Sequence, residues 1–545
     1  MDFTVVTKNG LNHPKPDIKF TYGTAGFRMK ADLLDSVMFR MGLLAVLRSK
    51  CKEGKSIGVM VTASHNPEPD NGVKLVDPYG EMLEQSWEKH ATKIAQSSDT
   101  DLVQCLQDVV SEENINTSVT ANVVVGMDTR LVSTALLSSV REGVESLGGQ
   151  CKDYGVVSTP QLHYFVTCIN TNGSYGEPTE EGYFKKFSNA FIKLHNLIGS
   201  NLTTRPSKLD GANGVGALKG RVLSKYISEY LKIDVFNDGT NGILNKGCGA
   251  DFVKTNQKAP AGIEMEVNDK CLAYDGDADR VVYFYKNSEN KFKLLDGDKI
   301  ATLIASFIKE KLDIAGIQLD KGLGVVQTAY ANGSSTNYLN DKMGVPVTIA
   351  KTGVKHLHHK ALSYDIGVYF EANGHGTVIY SDNAKARIAS AAKTATNDQK
   401  RAVEILSAFI DLTNETVGDA MSDMLLVETV LLERQITCES WDREYTDLPN
   451  KLSKVAVKDR RVIQPNEDET RVLQPTELQD KIDQVVKLFP KARSFVRPSG
   501  TEDVVRVYAE AETAEATAKL SAFVSRCVYD ICNGVGDRPQ AEDLV

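Results

Sequence analysis

The sequence has no block of basic residues and no apolar run long enough to span a bilayer. Lys and Arg number 63 against 72 Asp and Glu, a formal net charge of -9, so we expect neither nucleic acid nor a membrane as a partner. The 9 cysteines are scattered and lack C-x-x-C spacing, which is typical of reduced thiols. The first residues show no basic segment followed by an apolar core, so we expect no secretory signal. Together these absences predict a cytoplasmic protein whose anion sites are local basic pockets.

The length and composition are those of a multidomain globular protein. The chain has 545 residues, 41% of them hydrophobic and 25% charged, and this length suggests three or four domains. Short apolar runs that predict buried strands alternate with helical periodicity, beginning with a helix from Asp32 to about Lys50. A polar, glycine-rich stretch at 170–182 marks the first predicted boundary. Residues 287–298 are interpreted as a linker, and the tail after Asn533 is expected to be loose.

The chemistry is predicted to centre on Ser64. Residues 59–67 read Val-Met-Val-Thr-Ala-Ser-His-Asn-Pro, an apolar strand that ends in a polar turn. Because Pro67 prevents further sheet pairing, Ser64 and His65 stand at the carboxyl end of a strand, where ligands bind in open α/β sheets. A surface turn explains the same composition. Lys74 follows in a stretch that turns the chain back and could face the serine.

An acidic loop separates two predicted strands within 271–285. Asp275, Asp277 and Asp279 alternate with small residues, so their carboxylates repel one another unless a cation lies among them. An all-oxygen ligand set suits a hard ion such as Mg²⁺. The loop does not fit an EF-hand, because Arg280 stands where the bend glycine belongs. A solvated acidic turn is the alternative.

Two further loops deliver polar side chains at the ends of apolar strands. Residues 371–376 read Glu-Ala-Asn-Gly-His-Gly, whose carboxylate, amide and imidazole suit hydrogen bonds to sugar hydroxyls and amides. Residues 497–502 read Arg-Pro-Ser-Gly-Thr-Glu, which would form a phosphate cradle, although a surface hairpin is equally consistent. The glycine-rich segment 210–216 lacks G-x-G-x-x-G spacing, so we interpret it as a strand-to-helix turn and not as a dinucleotide site.

The four loops occur in the order found in the α-D-phosphohexomutases. The serine, acidic, sugar and phosphate loops each resemble a motif of that superfamily, and Tyr-Gly-Thr-Ala-Gly-Phe-Arg at 22–28 resembles its first motif. The resemblance covers nearly the whole chain.

A departure in the sugar loop narrows the resemblance to one branch of the superfamily. Members that act on glucose or mannose phosphates usually carry Gly-Glu-x-Ser-Gly-His in the sugar loop, whereas here Phe370 replaces the first glycine and Asn373 replaces the serine. This pattern is similar to the eukaryotic phosphoacetylglucosamine mutases, and an asparagine amide could help to accept an N-acetyl sugar. Ala278 stands where many members have glycine, which should leave metal binding intact.

The resemblance implies an α/β fold of three related domains with mixed sheets, followed by a smaller C-terminal α+β domain, around a central cleft. We place domain 1 with the phosphoserine loop at 1–178 and domain 2 with the metal-binding loop at 179–298. Domain 3 with the sugar-binding loop is placed at 299–440, and domain 4 with the phosphate-binding loop at 441–545.

The resemblance also implies an intramolecular phosphotransferase of the isomerase class. It would interconvert N-acetylglucosamine 6-phosphate and N-acetylglucosamine 1-phosphate through a 1,6-bisphosphate, in the biosynthesis of UDP-N-acetylglucosamine. Ser64 would be a phosphoserine in the resting enzyme. With Asp275, Asp277 and Asp279 it would hold one Mg²⁺ per active site.

Other residues follow from the same resemblance. His65 and Lys74 are candidates for electrostatic or proton-transfer work, Arg28 would touch the phosphoserine, and the identity of the general base is left open. The substrate-binding residues would be Glu371, Ala372, Asn373 and His375 in the sugar loop, and Arg497, Pro498, Ser499, Gly500, Thr501 and Arg506 in and beside the phosphate loop.

Other functions compete with this one. A phosphoglucomutase or phosphomannomutase of the same superfamily is the nearest alternative. A Mg²⁺-dependent sugar phosphatase would use the acidic loop but leaves Ser64 unexplained, and a catalytically silent sugar-phosphate sensor tends to lose the nucleophile or the metal ligands. The expected partner is a small sugar phosphate, and the protein is expected to be a monomer or a weak oligomer.

Overall fold

The chain divides into two compact units. The computed structural model describes residues 1–23, 26–199, 206–500 and 502–544. The first unit consists of the segments Met1–Asp296, Asn373–Thr377 and Glu404–Cys438. The second unit consists of the segments Gly297–Ala372, Val378–Val403 and Glu439–Val545.

The first sheet is mixed and contains the strand that leads to Ser64. Its strands are β1 (Phe27–Lys30), β2 (Ile57–Val61), β3 (Asp70–Val76), β4 (Asn122–Met127) and β5 (Gln150–Val156). Their spatial order is β1-β3-β2-β4-β5. β2 is parallel to β4, β4 is parallel to β5, and β3 is antiparallel to β1 and β2. The five residues of β2 are all apolar or glycine and all buried, as expected for a central strand covered on both faces.

Helices cover this sheet and continue the chain after it. They are α1 (Phe3–Gly10), α2 (Asp35–Cys51), α3 (Gln85–Gln96), α4 (Leu102–Glu112), α5 (Ser133–Ser146), α6 (Thr159–Asn170) and α7 (Glu180–Ile198). Helices α2 and α5 cross in backbone contact, because a Cβ on Gly42 would lie 2.1 Å from the carbonyl oxygen of Val140 and one on Gly143 would lie 2.0 Å from that of Phe39. Only glycine permits such an approach.

The second sheet carries the acidic loop. Its strands are β6 (Ser207–Asp210), β7 (Ile233–Phe236), β8 (Cys271–Tyr274), β9 (Val281–Lys286) and β10 (Phe292–Leu295), accompanied by helices α8 (Val215–Ile227) and α9 (Ala250–Asn256). Their spatial order is β10-β9-β8-β6-β7. The glycine-rich segment joins β6 to α8, which confirms the predicted strand-to-helix turn.

One predicted feature of this region is wrong. Residues 287–298, interpreted as a linker, contain β10, which pairs antiparallel with β9, and the start of the next helix. Phe292 and Leu294 are half-buried while Lys293 between them is exposed, so the stretch alternates as a strand does. The alternation is only four residues long and directly follows a polar hairpin turn, so the sequence alone did not indicate a strand.

The third sheet carries the sugar loop. Its strands, β11 (Leu323–Thr328), β12 (Val347–Ala350), β13 (Ile366–Phe370) and β14 (Gly376–Tyr380), are ordered β12-β11-β13-β14. The helices of this segment are α10 (Gly297–Ala315), α11 (Gly333–Asn337), α12 (Val354–Ala361), α13 (Asp382–Ala391), α14 (Asn397–Leu412), α15 (Ala420–Arg434) and α16 (Cys438–Asp442).

The last segment is built differently. Three antiparallel strands, β15 (Asn450–Ala456), β18 (Arg493–Pro498) and β19 (Val504–Glu510), are ordered β15-β19-β18, and β16 (Gln464–Pro465) pairs with β17 (Val472–Gln474). Helices α17 (Thr476–Val486) and α18 (Ala514–Ile531) pack on this sheet around one apolar core. The tail expected to be loose is held instead, since Arg526 donates to the carbonyl of Ala541 at 2.7 Å and to Asp543 at 2.6 Å.

The predicted fold class is confirmed. Three α/β segments with parallel and antiparallel strand pairs precede a smaller α+β segment. All 9 cysteines are free thiols. Within the described ranges, no helix is both long enough and apolar enough to cross a membrane.

Candidate active site

Ser64 lies in a sharp turn at the carboxyl end of β2. Its φ angle is 51°, in the left-handed region that residues with a Cβ rarely adopt. The side chain is fully buried. Its hydroxyl donates to Oδ2 of Asp275 at 2.7 Å, and its backbone N–H donates to Oγ1 of Thr62 at 3.0 Å. The strained turn therefore aims the predicted nucleophile at the acidic loop.

Two side chains hold the backbone of this turn. Nη2 of Arg130 donates to the carbonyls of Ser64 and Asn66 at 3.2 and 2.7 Å. Nδ2 of Asn245 donates to the same two carbonyls at 2.8 and 2.9 Å. Sequence reasoning missed both residues. The position of Arg130 could have been predicted from the sequence, because it follows β4, whose carboxyl end lies beside that of the parallel strand β2. Asn245 lies in an irregular loop, and no pattern in the sequence indicates its position.

The three predicted metal ligands form one buried cluster. Asp275, Asp277 and Asp279 lie in the turn between β8 and β9, and Ala278 within it has a φ of 59°. One oxygen of each carboxylate lies within 4.8 Å of the others. The three residues are between 0% and 3% exposed, so water cannot screen their mutual repulsion.

The donor set fits a hard divalent cation. Oδ1 of Asp277 is buried and accepts no hydrogen bond, and Oδ1 of Asp279 is buried with Nδ1 of His375 3.2 Å away. The opposite oxygens are occupied, because Nζ of Lys74 lies 3.1 Å from Oδ2 of Asp277 and 3.2 Å from Oδ2 of Asp279, and Thr159 donates to Asp277 at 2.7 Å. Carboxylate oxygens that face one another in this way are the ligands that Mg²⁺ takes.

The three carboxyl groups differ in acidity. Burial, with repulsion by Asp279 and Asp277, raises the pKa of Asp275 well above its usual value. Burial also opposes ionisation of Asp279, but Lys74 and His375 outweigh it and hold the pKa well below the usual value. Burial and repulsion by Asp279 also oppose ionisation of Asp277, but Lys74, the hydrogen bond from Thr159 and Arg28 together outweigh them and lower its pKa. Without a cation, Asp275 is thus the carboxyl that most readily takes a proton.

His65 and Arg28 approach the same loop. Nε2 of His65 lies 3.4 Å from Asp251, which accepts a hydrogen bond from Arg280 at 3.0 Å. Burial, and next the charge of Arg280, lower the pKa of His65 to about 4, so its imidazole is neutral at pH 7. Its Nδ1 is buried and accepts no hydrogen bond. Burial and Arg280 also lower the pKa of Arg28, while all three aspartates of the loop attract it.

The sugar loop is divided between the two units. In the first unit, Nδ1 of His375 lies 3.2 Å from Oδ1 of Asp279, and its backbone N–H donates to Oδ1 of Asn373 at 3.0 Å. His375 thus lies against the acidic cluster. In the second unit, Oε1 of Glu371 accepts the backbone N–H of Gly353 at 3.1 Å, directly before α12.

The phosphate loop is the turn between β18 and β19. Arg497 is paired with Arg506 across these strands, and Arg506 is paired with Lys454 of β15. Paired residues on neighbouring strands share a face of the sheet, and like charges in that position repel each other. A row of three cationic side chains therefore indicates an anion site.

The backbone groups of the remaining predicted substrate-binding residues make hydrogen bonds within the second unit. The carbonyl of Ala372, next to the sugar loop's glutamate, accepts the N–H of Gly297 at 3.4 Å. Pro498 ends β18, and the N–H of Ser499 donates to the carbonyl of Val504 at 2.8 Å. The carbonyl of Gly500 accepts from Arg460 at 3.1 Å. Thr501, also predicted to bind phosphate, lies outside the described residues.

Glu469 is a further residue that sequence reasoning missed. It lies between β16 and β17, in a stretch with several acidic residues. The sequence does not indicate which of these acidic side chains is buried. It is 4% exposed, and its Oε1 accepts from Nε of Arg497 at 2.9 Å. Burial works to lower the pKa of Arg497, but Glu469 outweighs it and the pKa is raised.

Family models match most of the chain, from residue 41 to residue 526. The two that describe phosphoacetylglucosamine mutase AMG1 are domain II at residues 176–282 and domain III at 296–436. The two that describe phosphoglucomutase/phosphomannomutase are the alpha/beta/alpha domain I, at 41–101 and 100–175, and the C-terminal domain, at 452–526.

Similar proteins extend this match over the full length. The phosphoacetylglucosamine mutase of Sus scrofa is 54% identical over 542 residues, covering 99% of each chain. A crystal structure of an N-acetylglucosamine-phosphate mutase in its substrate complex is 46% identical, covers 97% of this chain and 100% of that one, and superposes with a TM-score of 0.93. The Aspergillus fumigatus N-acetylphosphoglucosamine mutase, in complex with GlcNAc-6P and magnesium, is 46% identical with a TM-score of 0.92, covering 97% and 99% of the two chains. The chain therefore belongs to the phosphoacetylglucosamine mutase family of the α-D-phosphohexomutase superfamily.

Proposed function

We propose that the chain interconverts N-acetylglucosamine 6-phosphate and N-acetylglucosamine 1-phosphate, as an isomerase that supplies UDP-N-acetylglucosamine biosynthesis. The observation that carries this proposal is the hydroxyl of Ser64, buried 2.7 Å from one of three clustered carboxylates. A nucleophile placed against a magnesium site suits phosphoryl transfer, where positioning and charge neutralisation do most of the catalysis. Membership of the family supports the choice of sugar.

Ser64 carries the phosphoryl group in the resting enzyme and transfers it to the free hydroxyl of the sugar phosphate. As the bond from the sugar oxygen to phosphorus forms, the bond from Oγ of Ser64 to phosphorus breaks. The proton of the sugar hydroxyl passes to a base, and the departing Oγ takes up a proton to become the serine hydroxyl. The resulting 1,6-bisphosphate then returns its other phosphoryl group to Ser64. Asp275, Asp277 and Asp279, with the phosphorylated serine, would hold Mg²⁺, which withdraws charge from the phosphoryl oxygens when bound.

The basic residues have different roles in charge neutralisation and proton transfer. Burial opposes protonation of Lys74, but Asp277 and Asp279 outweigh it and raise its pKa, so Lys74 stays cationic and acts electrostatically. His65 is neutral, and its Nδ1 is not engaged in a hydrogen bond, which supports it as the proton acceptor. Arg28, attracted to the acidic loop, would neutralise charge on the phosphoserine.

The remaining predicted residues would bind the substrate. Glu371 and Asn373 would accept and donate hydrogen bonds to the sugar, with Ala372 and His375 beside them. The phosphate group that is not reacting would be bound by Arg497, Pro498, Ser499, Gly500, Thr501 and Arg506. The pairing of Arg497 with Arg506 across two strands supports this assignment.

Four further features are part of the proposal. Small sugar phosphates are the ligands, and the protein is a monomer or weak oligomer, which light scattering would test. A cytoplasmic location is supported by the 9 free thiols. Domains at 1–178, 179–298, 299–440 and 441–545 are supported by the spacing of the matched family models and are testable by limited proteolysis.

The test is phosphorus NMR of the protein with Mg²⁺ and N-acetylglucosamine 6-phosphate. Wild-type protein should produce the anomeric 1-phosphate, and Ser64→Ala should lose activity by at least about 10⁴-fold. Ser36→Ala is the matched control, because Ser36 is also buried but its hydroxyl has no hydrogen-bond partner.

The alternatives give different spectra. Inorganic phosphate released by both wild type and Ser64→Ala would identify a phosphatase. Conversion of glucose 6-phosphate without conversion of the acetylated sugar would identify a phosphoglucomutase and contradict the proposed substrate.

A further inference from the structure

Glu469 is buried in a turn that should be solvated. The turn 466–471 reads Asn-Glu-Asp-Glu-Thr-Arg, and the side chain of Glu467 within it is 91% exposed. The side chain of Glu469, two positions later, is 5% exposed. Its backbone φ is 60°, a conformation that a residue with a Cβ keeps only when its surroundings hold it there. The turn is therefore shaped to bury this one carboxylate.

The buried carboxylate has two partners on different segments of the second unit. Oε1 of Glu469 accepts from Nε of Arg497 at 2.9 Å, and Oε2 accepts from the backbone N–H of Thr352 at 3.0 Å. The next N–H along the chain, that of Gly353, donates to Oε1 of Glu371 at 3.1 Å. Two carboxylates thus hold consecutive peptide groups of one turn. One of them also holds an arginine of the phosphate loop, and the other belongs to the sugar loop.

The contact with Arg497 fixes the plane of its guanidinium. A guanidinium has five N–H donors in a rigid fork, so an ion pair at Nε sets the direction of the Nη groups and leaves donors for an anion. Arg497 is opposed by Arg506 on the next strand, and repulsion between them would turn it away without a counter-ion.

We propose that Glu469 is a positioning residue that orients Arg497 for phosphate and joins it, through the Thr352–Gly353 turn, to Glu371 of the sugar loop. This inference rests on the proposed function and deepens it. One connected group of hydrogen bonds then determines both how tightly the phosphate is bound and how the sugar is oriented.

The first test compares wild type, Glu469→Gln and the matched control Glu467→Gln in steady-state kinetics with N-acetylglucosamine 6-phosphate and saturating Mg²⁺. Glutamine keeps an acceptor for Thr352 but loses the ionic contact with Arg497. KM should rise about tenfold in Glu469→Gln while kcat changes less than about threefold, because Arg497 binds the non-reacting phosphate equally in ground and transition states. Glu467→Gln should match wild type. An unchanged KM in Glu469→Gln would overturn the inference.

A double-mutant cycle separates positioning from support of the fold. If Glu469 acts through Arg497, adding Glu469→Gln to Arg497→Ala should raise KM by less than about twofold. A full tenfold effect in the Arg497→Ala background would overturn the inference. Should Glu469→Gln fail to fold, Glu469→Asp keeps the charge on a side chain too short for both partners, and a wild-type KM in that variant would equally overturn it.

Calorimetry with inorganic phosphate keeps this inference distinct from the proposed function. Arg497→Ala should abolish the binding of inorganic phosphate at this site. Glu469→Gln should bind phosphate about tenfold more weakly than wild type, whichever sugar the enzyme converts. Wild-type protein that binds phosphate in this way but does not convert N-acetylglucosamine 6-phosphate would refute the proposed function alone. Equal phosphate affinity in wild type and Glu469→Gln would refute the role of Glu469 alone.

Discussion

Gly276 lies between two of the clustered aspartates and against the serine turn. A Cβ at this position would be 2.5 Å from the carbonyl oxygen of Ser64 and 2.9 Å from Nδ2 of Asn245. Ordinary van der Waals contact begins at 3.4 Å. Gly276→Ala must therefore move the acidic loop away from the serine turn by about 0.9 Å, the difference between 3.4 and 2.5 Å.

The expected loss of activity follows from that displacement. Misplacing reacting groups by about 1 Å costs about 10²-fold in rate, which is about 2.7 kcal/mol of transition-state stabilisation. Overpacking a well-packed site costs about 1–3 kcal/mol of stability. We therefore expect Gly276→Ala to remain folded, with a lower melting temperature and a kcat/KM reduced about 100-fold.

Initial rates of 1-phosphate formation, with circular dichroism to establish folding, provide the measurement. Gly10→Ala is the control, because a Cβ there would lie 3.7 Å from Phe39 and 3.9 Å from Leu102, in ordinary contact and far along the chain from the site. A folded Gly276→Ala enzyme with kcat/KM within threefold of wild type would refute the reasoning, since the close approach of the two loops would then be irrelevant to catalysis.

Three further predictions concern Asn245, His13 and Asp423. Asn245→Ala removes two hydrogen bonds to the serine turn and should lower kcat about tenfold; an unchanged kcat would contradict its positioning role. His13 contacts Asp35 and Glu142 at 2.9 and 3.1 Å; burial lowers its pKa, but these carboxylates outweigh burial and raise it above 6.5. Its stabilisation is thus complete below pH 6.5 and lost as pH rises through the raised pKa, so the melting temperatures of wild type and His13→Gln should converge between about pH 6 and pH 9, and a constant difference would contradict this. Burial raises the pKa of Asp423 well above 3.8, and neither of its oxygens has a hydrogen-bond partner. Its stabilisation is lost as pH rises above 3.8, so the gain in melting temperature from Asp423→Asn should grow from pH 5 to pH 8, and a gain that does not grow would argue against a protonated Asp423.

Contiguous motifs at strand ends could be predicted from the sequence. Ser64 follows a strand whose five residues are all buried, and the acidic loop lies between two strands that are almost entirely buried. The apolar runs identify the strands, and the strands place the polar residues at one edge of a sheet. Local pattern and tertiary position therefore agree at these two loops.

Partners supplied from distant loops could not be predicted. Asn245 is separated from Ser64 by 181 positions and lies in an irregular loop. Glu469 is one of several acidic residues in a polar turn, and only its burial distinguishes it from Glu467. Neither residue belongs to a periodic segment, so no regularity of the chain indicates which side chain the fold turns inward.

The position of Lys74 affects how far the folding of the protein depends on magnesium. Its ammonium already lies between two of the buried carboxylates, at 3.1 and 3.2 Å, so part of the charge of the cluster is balanced by the chain itself. Many small metallodomains unfold when their metal ion is removed. Because the chain itself balances part of this charge, we expect the protein to depend less on magnesium for its folding than such domains do.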